Sequence, residues 1–384
     1  MATYELWLTN DRGRRLMPLN NLRTWAASRI INGVGAFSGV LRPPADLPSV
    51  QNYHYIERNI RKDWGVQVWR KARGPQHLWA VYFVTGWGWQ QGDDGEEVFS
   101  LAGYDQNHLL TRRVVAAYAD SAQAKMTNYA DDMMKAVVTD SLQDDAAPTP
   151  TAGTRAWGDL TVQGNQSAGP SLTLAFAWRP LLTLSGGGVL TQIADAAREA
   201  GTEVFYRLAL TNVSTSGVRY EFRTFIGQPG YNRTSGPRKV TFDADAGTLA
   251  DWALEYDYAE EVNYVYALGR GDKADRNVQQ RYDATRYKAS YWGRCEGIAE
   301  ARMMETDASV QAAGDAVLTE GRPHARLIGT PVSRPGQEYG RHYEVGDKVL
   351  ARAKGHTFDA LVWSAVVSQD EDGRVSEMAR LEVR

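Results

Sequence analysis

The stretch that decides the fold is Val66–Tyr104, which reads VQVWRKARGPQHLWAVYFVTGWGWQQGDDGEEVFSLAGY. It opens with a short basic segment in which apolar and polar residues alternate, as in a half-exposed strand. From Leu78 to Trp87 it continues as an apolar run rich in β-branched and aromatic residues. Asp93-Asp94-Gly95 supplies turn chemistry, and the chain returns from Glu97. This stretch therefore predicts a three-stranded antiparallel meander.

A second stretch, Val345–Val383, has the same organisation. A short basic strand at Lys348–Arg352 precedes a long apolar strand at Phe358–Val367, and an acidic glycine turn follows at residues 370–373. Internal duplication explains this likeness, but so does the general need of hairpins for acidic or glycine turns. The duplication matters because two equivalent units in each subunit would turn a threefold ring into a pseudo-sixfold one.

Other patterns surround the two stretches. A hairpin pattern precedes each of them, at residues 4–19 and at 262–283. Residues 143–153 combine Asp, Pro and small residues, which is typical of a linker. Helices are predicted from apolar periodicity and capping residues at Asn128–Leu142, at Val189–Glu199 before Gly201, after Thr306 to Glu320, and as a short helix capped by Asp105.

The predicted fold is mainly β with an α+β insert, built from two related barrel-like β domains, a small middle domain and a few helices. The expected division is a first β domain with trailing helices at 1–142, the linker at 143–153, the α+β insert at 154–245, and a second β domain with one helix at 246–384. A chain of 384 residues is long enough for such an arrangement of several cores.

Composition narrows the class of function. The net charge of −3 provides no global basic field for nucleic acid or an anionic membrane. The single cysteine, Cys295, excludes an intramolecular disulfide, and no base lies near it in the sequence. No secretory signal and no apolar run of membrane length is visible. We therefore expect a chain made in the cytosol whose main contacts are with other proteins.

No catalytic, cofactor or metal motif is present. The six histidines form no zinc-type pair, and no serine lies in a nucleophile elbow. The loop Ser185–Gly188 lacks the residues of a phosphate-binding motif, and the acidic turns lack the length of a calcium loop. Paired carboxylates such as Asp131-Asp132 are expected on solvated faces. We therefore predict a protein that is not an enzyme and carries no cofactor or metal, although two carboxylates converging in a cleft would escape a motif search.

Aromatic residues are abundant, with 12 Trp and 19 Tyr. Trp87 and Trp89 lie two apart, so they share one face of the predicted strand. Three roles are open for them, namely core packing, contact between subunits, and a stacking platform for glycans.

Several segments resemble the tail-hub family of long-tailed phages, the siphoviruses. The similar segments extend over the whole chain and contain no catalytic residue: they are Tyr4–Gly13 (YELWLTNDRG), Trp64–Lys71, Leu101–Arg113 (LAGYDQNHLLTRR), Leu254–Tyr258, Glu261–Gly269 and Gly346–Val349. The resemblance implies a fold like the baseplate hub of contractile-tailed phages, in which two barrel-like tube domains per subunit form a trimeric ring that continues the sixfold tail tube.

By this resemblance, the chain is expected to be a structural hub subunit at the tail tip of a virion. Its implied partners are two further copies of itself, distal tail or tail tube proteins on one side, and tail-tip, fibre or tape-measure proteins on the other. DNA would pass through the ring without specific binding during genome ejection. Because the sequence ends at Arg384, soon after the second meander, no fused lytic or receptor-binding extension is expected. The alternative is a tail-tip protein that degrades or binds cell-wall glycans.

Overall fold

The computed structural model describes residues 3–20, 22–41, 54–71, 76–91, 95, 97–116, 125–143, 155–176, 178–214, 217–302 and 306–383. The strands in this part of the chain are β1 (Thr3–Thr9), β2 (Arg15–Pro18), β3 (Leu22–Ile30), β4 (Ala36–Leu41), β5 (Gly65–Lys71), β6 (His77–Gln91), β7 (Glu97–Asp105), β8 (Val114–Val115), β9 (Lys125–Tyr129), β10 (Leu160–Val162), β11 (Ser171–Ala175), β12 (Arg179–Pro180), β13 (Val204–Ser214), β14 (Gly217–Ile226), β15 (Thr241–Asp243), β16 (Leu249–Asp257), β17 (Tyr264–Leu268), β18 (Val278–Tyr282), β19 (Glu296–Glu300), β20 (His324–Pro331), β21 (Lys348–Ala353), β22 (His356–Gln369) and β23 (Val375–Glu382).

Helices are fewer and short. They are α1 (54–59), α2 (Ala130–Leu142), α3 (Val189–Glu199), α4 (Ala284–Ala289) and α5 (Asp307–Glu320), together with 3-10 helices at Gln106–Arg112 and Lys273–Asp275. The prediction of a mainly β fold is confirmed. Within the described residues, no helix is both long and apolar enough to cross a membrane.

Both predicted meanders form. β5, β6 and β7 pair antiparallel in succession, and so do β21, β22 and β23. β3 pairs with β22 and thereby joins the two meanders into one large sheet, with the strand order β16-β20-β23-β22-β3-β4-β7-β6-β5-β1-β2. β21 pairs with β22 and, in parallel, with β15. The apolar faces of this sheet enclose a single continuous core that draws on both halves of the chain.

A second core lies in the middle of the chain. α2 and α3 pack against the sheet β10-β14-β13, and Met133 and Ile193 are completely buried there. Phe83 of the large sheet also belongs to this core. β15, which follows the middle strands in the chain, pairs with β21 of the large sheet. The domain boundaries predicted at residues 142 and 245 stay predictions, and residues 144–153 of the predicted linker lie outside the described residues.

A third, small core belongs to the sheet β18-β17-β19 and to α5, which Thr306 caps as predicted. Both predicted hairpins form, β1 with β2 and β17 with β18, but they lie in different sheets. The first hairpin extends the large sheet through the pairing of β1 with β5, whereas the second forms its own sheet. The physical reason is burial, because Val265 and Ala267 pack against α5 and not against the large core.

Candidate assembly interface

The residues considered for chemistry do not converge. Within the described part of the chain, no group of three or more His, Cys, Asp or Glu side chains is placed to hold a metal ion. Cys295 is a half-buried free thiol. His108 lies against Thr111 and Arg112 in the same short helix, with Thr111 Oγ1 3.0 Å from its Nδ1. The absence of an active site and of a cofactor stays a prediction.

Asp131 and Asp132 overturn the expectation that paired carboxylates lie on solvated faces, because both are buried. Lys135 Nζ contacts Asp131 Oδ2 at 2.8 Å within α2. The carboxylates accept backbone hydrogen bonds from the loop before β11, from Ala168 N–H to Asp131 at 2.7 Å and from Gln166 N–H to Asp132 at 2.9 Å. The loop provides the donors that offset the cost of burying these charges, so the cluster holds the loop in place.

Trp87 and Trp89 lie on the C-terminal half of β6, on one face as predicted. Their side chains are 39% and 49% exposed. They stand opposite Leu101 and Phe99 of β7, both of which are buried, so the two indoles cover the rim of the large core. The Trp89 ring lies 5.0 Å from that of Phe99, and its Nε1–H donates to Glu57 at 3.0 Å. The two rings are therefore packed on one side and open on the other.

The backbone edge of β6 beside these indoles has no partner strand among the described residues. β5 pairs with β6 only as far as Phe83, and Val84 N–H then donates to the Trp64 carbonyl at 2.7 Å. β7 covers the opposite edge of β6 along its whole C-terminal half. Within the described ranges, no strand pairs with the free edge from Gly86 to Gln91. An unpaired edge of this length is a template for another strand.

A second open edge belongs to β16, the terminal strand of the large sheet. β20 pairs with one of its edges, and none of the strands assigned in the described ranges pairs with the other. Trp252 and Leu254 are partly buried against the large core, which leaves part of each side chain uncovered at the rim. Two strands of the large sheet, β6 and β16, thus have edges without a partner strand in the described ranges, and both carry large, partly exposed apolar side chains.

A buried charge fixes the two halves of the large core to each other. Arg70 is 2% exposed, and its Nε lies 2.9 Å from Tyr4 Oη and 3.0 Å from Glu377 Oε1. Its remaining nitrogens donate to the carbonyl oxygens of Tyr339 at 2.6 Å and Gly340 at 3.0 Å. Burial opposes the charge, but Tyr4 and Glu377 outweigh it and raise the pKa of Arg70. The guanidinium therefore joins the first meander to the second.

Asp105 and Asn107 attach the middle core to the large sheet. Asp105 caps the 3-10 helix by accepting from Asn107 N–H at 3.0 Å. Asn107 donates to the Gly33 carbonyl at 2.7 Å and accepts from Leu208 N–H at 2.9 Å. Burial raises the pKa of Asp105 to about 7, although backbone hydrogen bonds from Gly35 and Asn107 oppose the shift. The junction therefore contains a carboxyl group whose charged form is disfavoured by burial.

Sequence reasoning missed two aromatic side chains at the surface of the small third unit. Tyr291 and Trp292 are 92% and 84% exposed and contact each other edge to face at 5.3 Å. No periodic pattern marks them, because they lie in the turn between α4 and β19. The composition alone, with its many aromatic residues, pointed to exposed rings without placing them.

The fold has solved counterparts. The 43 kDa tail protein of prophage MuSo2 from Shewanella oneidensis superposes with a TM-score of 0.54 at 14% identity, covering 99% of this chain and 98% of that one. A tail protein from Neisseria meningitidis superposes with a TM-score of 0.50 at 13% identity, covering 99% and 96%. At these identities the likeness establishes the fold alone. A search of curated proteins finds no match to the sequence.

The sequence itself establishes the family. A family model described as Siphovirus ReqiPepy6 Gp37-like protein matches residues 6–379, which include the first meander, most of the second, the middle core and the small third unit. The resemblance seen in the sequence to siphovirus tail proteins is thereby confirmed. The chain belongs to the Siphovirus ReqiPepy6 Gp37-like protein family.

Proposed function

We propose that the protein is a structural subunit of a phage tail, a hub that forms a trimeric ring at the end of the tail tube. The observation that carries the proposal is the pair of like meanders joined edge to edge in one sheet. Two like units in each chain let three chains present six similar positions to a sixfold tube. Family membership and the likeness to solved tail proteins support the same role.

The ring would bind distal tail or tube proteins on one side and tail-tip, fibre or tape-measure proteins on the other. It would therefore lie at the tail tip and act in host attachment and genome ejection. The net charge of −3 agrees with a channel through which DNA passes without being held. The division into two tube domains flanking a middle insert belongs to this proposal.

Native mass spectrometry of the purified chain, together with electron microscopy of assembled tails, tests the proposal. Three copies in one ring are the expected result. A single copy, or a ring of six identical chains in the tail, would contradict it, because six copies would supply twelve meanders where a sixfold tube needs six positions.

A glycan-directed role is the competing function. The indole faces of Trp87 and Trp89 are its only sequence support, and Trp89 is already engaged by Phe99 and Glu57. We therefore propose no catalytic activity and expect no clearing of host cell walls in a zymogram. Retention on a glycan array that disappears in Trp87→Ala would favour glycan binding instead.

A further inference from the structure

The junction inside the chain shows how one meander accepts a strand. β21 pairs with β22 as far as Leu361, and β3 then takes over the same edge of β22. Ser364 faces Ile30, and Gln369 faces Trp25 at the far end of the ladder. The long strand thus has two successive neighbours on one edge, while β23 occupies its other edge from Leu361 to Gln369.

The two long hairpins correspond residue by residue. The ladder between β6 and β7 is interrupted by a bulge between Val84 and Gly86. The ladder between β22 and β23 is interrupted between Val362 and Ser364, at the equivalent place. Both turns carry a glycine with left-handed backbone at the same offset from the bulge, Gly95 with φ of 80° and Gly373 with φ of 75°. Gly86–Gln91 is therefore the counterpart of Ser364–Gln369.

The neighbouring strands correspond as well. In the first unit, β7 pairs with β4, and β4 pairs with β3. In the second unit, β23 pairs with β20, and β20 pairs with β16. β16 is therefore the counterpart of β3. In the second meander, β3 fills the edge of β22, whereas in the first meander the equivalent edge of β6 is open. The free edge of β16 is equivalent to the edge of β3 that pairs with β22.

We infer that β16 of one subunit pairs antiparallel with the free edge of β6 in the next subunit, so that each contact between chains repeats the β3–β22 junction. This inference rests on the proposed trimeric ring and specifies its interface. The contact is heterologous, and such contacts close into a ring when the rotation allows it. The free edges of β6 and β16 are then filled in every subunit.

The register follows from the equivalences. Tyr104 faces Ala36 in the first unit as Glu382 faces Ile328 in the second. Ile328 is therefore the counterpart of Ala36. Ile328 faces Ala253 on β16, and Ala36 faces Ser28 on β3, because the pair before it in the ladder is Phe37 with Ala27. Ala253 therefore corresponds to Ser28. Ser28 faces Val366, whose counterpart on β6 is Gly88. The resulting pairs between subunits are Gly88 with Ala253, Trp87 with Leu254, and Gly86 with Glu255.

The side chains suit this register. Residues opposite each other on neighbouring strands lie on the same face of a sheet. Leu254 of one subunit would therefore cover Trp87 of the next, and Trp252 would approach Trp89 on the same side. All four are only partly covered within one chain. The contact would extend the large core across the subunit boundary, which explains half-exposed apolar side chains at both open edges.

Disulfide trapping tests the pairing. In a Cys295→Ser background, the pair Gly88→Cys and Ala253→Cys should give covalently linked trimers on a non-reducing gel. Facing residues in an antiparallel ladder have Cα atoms about 4.5–5.5 Å apart, which a disulfide spans. Open space surrounds Gly88 and Gly86, so Gly86→Cys with Glu255→Cys provides a second pair that the fold tolerates.

The matched control is Gly88→Cys with Asp257→Cys, four residues out of register on the same strand. We expect at least tenfold less linkage in the control than in either in-register pair. Native mass spectrometry of the reduced variants shows whether a trimer forms, independently of whether the cysteines become linked. Trimers without in-register linkage, or with equal linkage in the control, would overturn the strand pairing and leave the ring intact. A chain that forms no trimer would overturn the ring and the pairing together.

Discussion

The buried guanidinium of Arg70 allows the sharpest test of how the two meanders are held together. Arg70→Met removes the charge and all of its hydrogen bonds while keeping an unbranched side chain of similar length. Its partners come from both ends of the chain, since Tyr4 lies on β1 and Glu377 on β23. The variant therefore removes one buried polar contact between the first meander and the second without changing the strands themselves.

The expected loss follows from the groups left behind. In the variant, the carbonyl oxygens of Tyr339 and Gly340 lose their donors, and Glu377 keeps a negative charge whose remaining partner among the described residues is the Tyr4 hydroxyl. Removing one member of a buried ion pair typically costs about 3–5 kcal/mol, mostly because the other charge stays uncompensated. We expect Arg70→Met to lower the free energy of unfolding by this amount, about 4 kcal/mol.

Urea unfolding followed by tryptophan fluorescence measures the loss. The matched control is Arg281→Met, which removes an ion pair with Asp315 whose side chains are 38% and 48% exposed. Exposed pairs contribute less than about 1 kcal/mol. Glu377→Gln keeps an acceptor oxygen but removes the charge, so it remains informative if Arg70→Met does not fold. Equal losses in Arg70→Met and Arg281→Met would refute the assignment of Arg70 as the link between the meanders.

Three further predictions concern single buried or capping groups. Because burial raises the pKa of Asp105 to about 7, its folded form keeps a proton that the unfolded chain releases near pH 4, so the stability contributed by this group is fully present below about pH 4 and is lost, by up to about 4 kcal/mol, as pH rises to 7. Asp105→Asn should flatten this fall in urea titrations at several pH values, and an unchanged slope would contradict the shift. Lys135→Met should lower the unfolding free energy by about 3–5 kcal/mol, because it leaves a buried carboxylate unpaired; a loss below 1 kcal/mol in the same assay would contradict that pairing. Thr306→Ala should cost about 1 kcal/mol and speed hydrogen exchange in α5, whereas Thr306→Ser should not, because the capping oxygen that accepts from Ser309 N–H is then kept.

Features with short-range causes were predictable from the sequence. α5 begins after Thr306 because a hydroxyl cap and a following apolar pattern lie within one turn of each other. Both meanders were predictable because each has a short basic segment, a long apolar run and an acidic glycine turn within forty residues. α3 ends before Gly201, whose φ of 81° suits a residue without a side chain. In each case the deciding residues are neighbours in sequence.

Features with long-range causes were not predictable in this way. Nothing around Arg70 indicates that its carbonyl acceptors lie at Tyr339 and Gly340, because those contacts exist only after the two halves have packed. In the sequence, Asp131 and Asp132 resemble solvated helix residues. Their burial depends on the loop at 166–168, whose backbone N–H groups donate to both carboxylates and offset the cost of desolvation. β16 escaped prediction because its sequence, LADWALEYD, carries acidic residues between its apolar positions.

The candidate interface likewise has one part that could be predicted from the sequence and one part that could not. The two indoles of β6 and their common face could be read from spacing two apart in a strand pattern. The partner strand that we infer for them could not be read from the sequence, because β16 is identified as the counterpart of β3 only through pairings along the whole sheet. The role of Trp87 and Trp89 therefore depends on topology, which one sequence does not reveal.

Strand length connects the fold to the proposed assembly. β6 has 15 residues where β5 has 7, and β22 has 14 where β21 has 6. The excess creates a second edge position on each long strand, and β3 fills that position on β22. Proteins that remain single usually protect such edges with lysine, proline or covering loops. The open edge of β6 reads GWGWQQ and carries neither lysine nor proline, so its sequence favours pairing over protection, as a subunit that must join its neighbours requires.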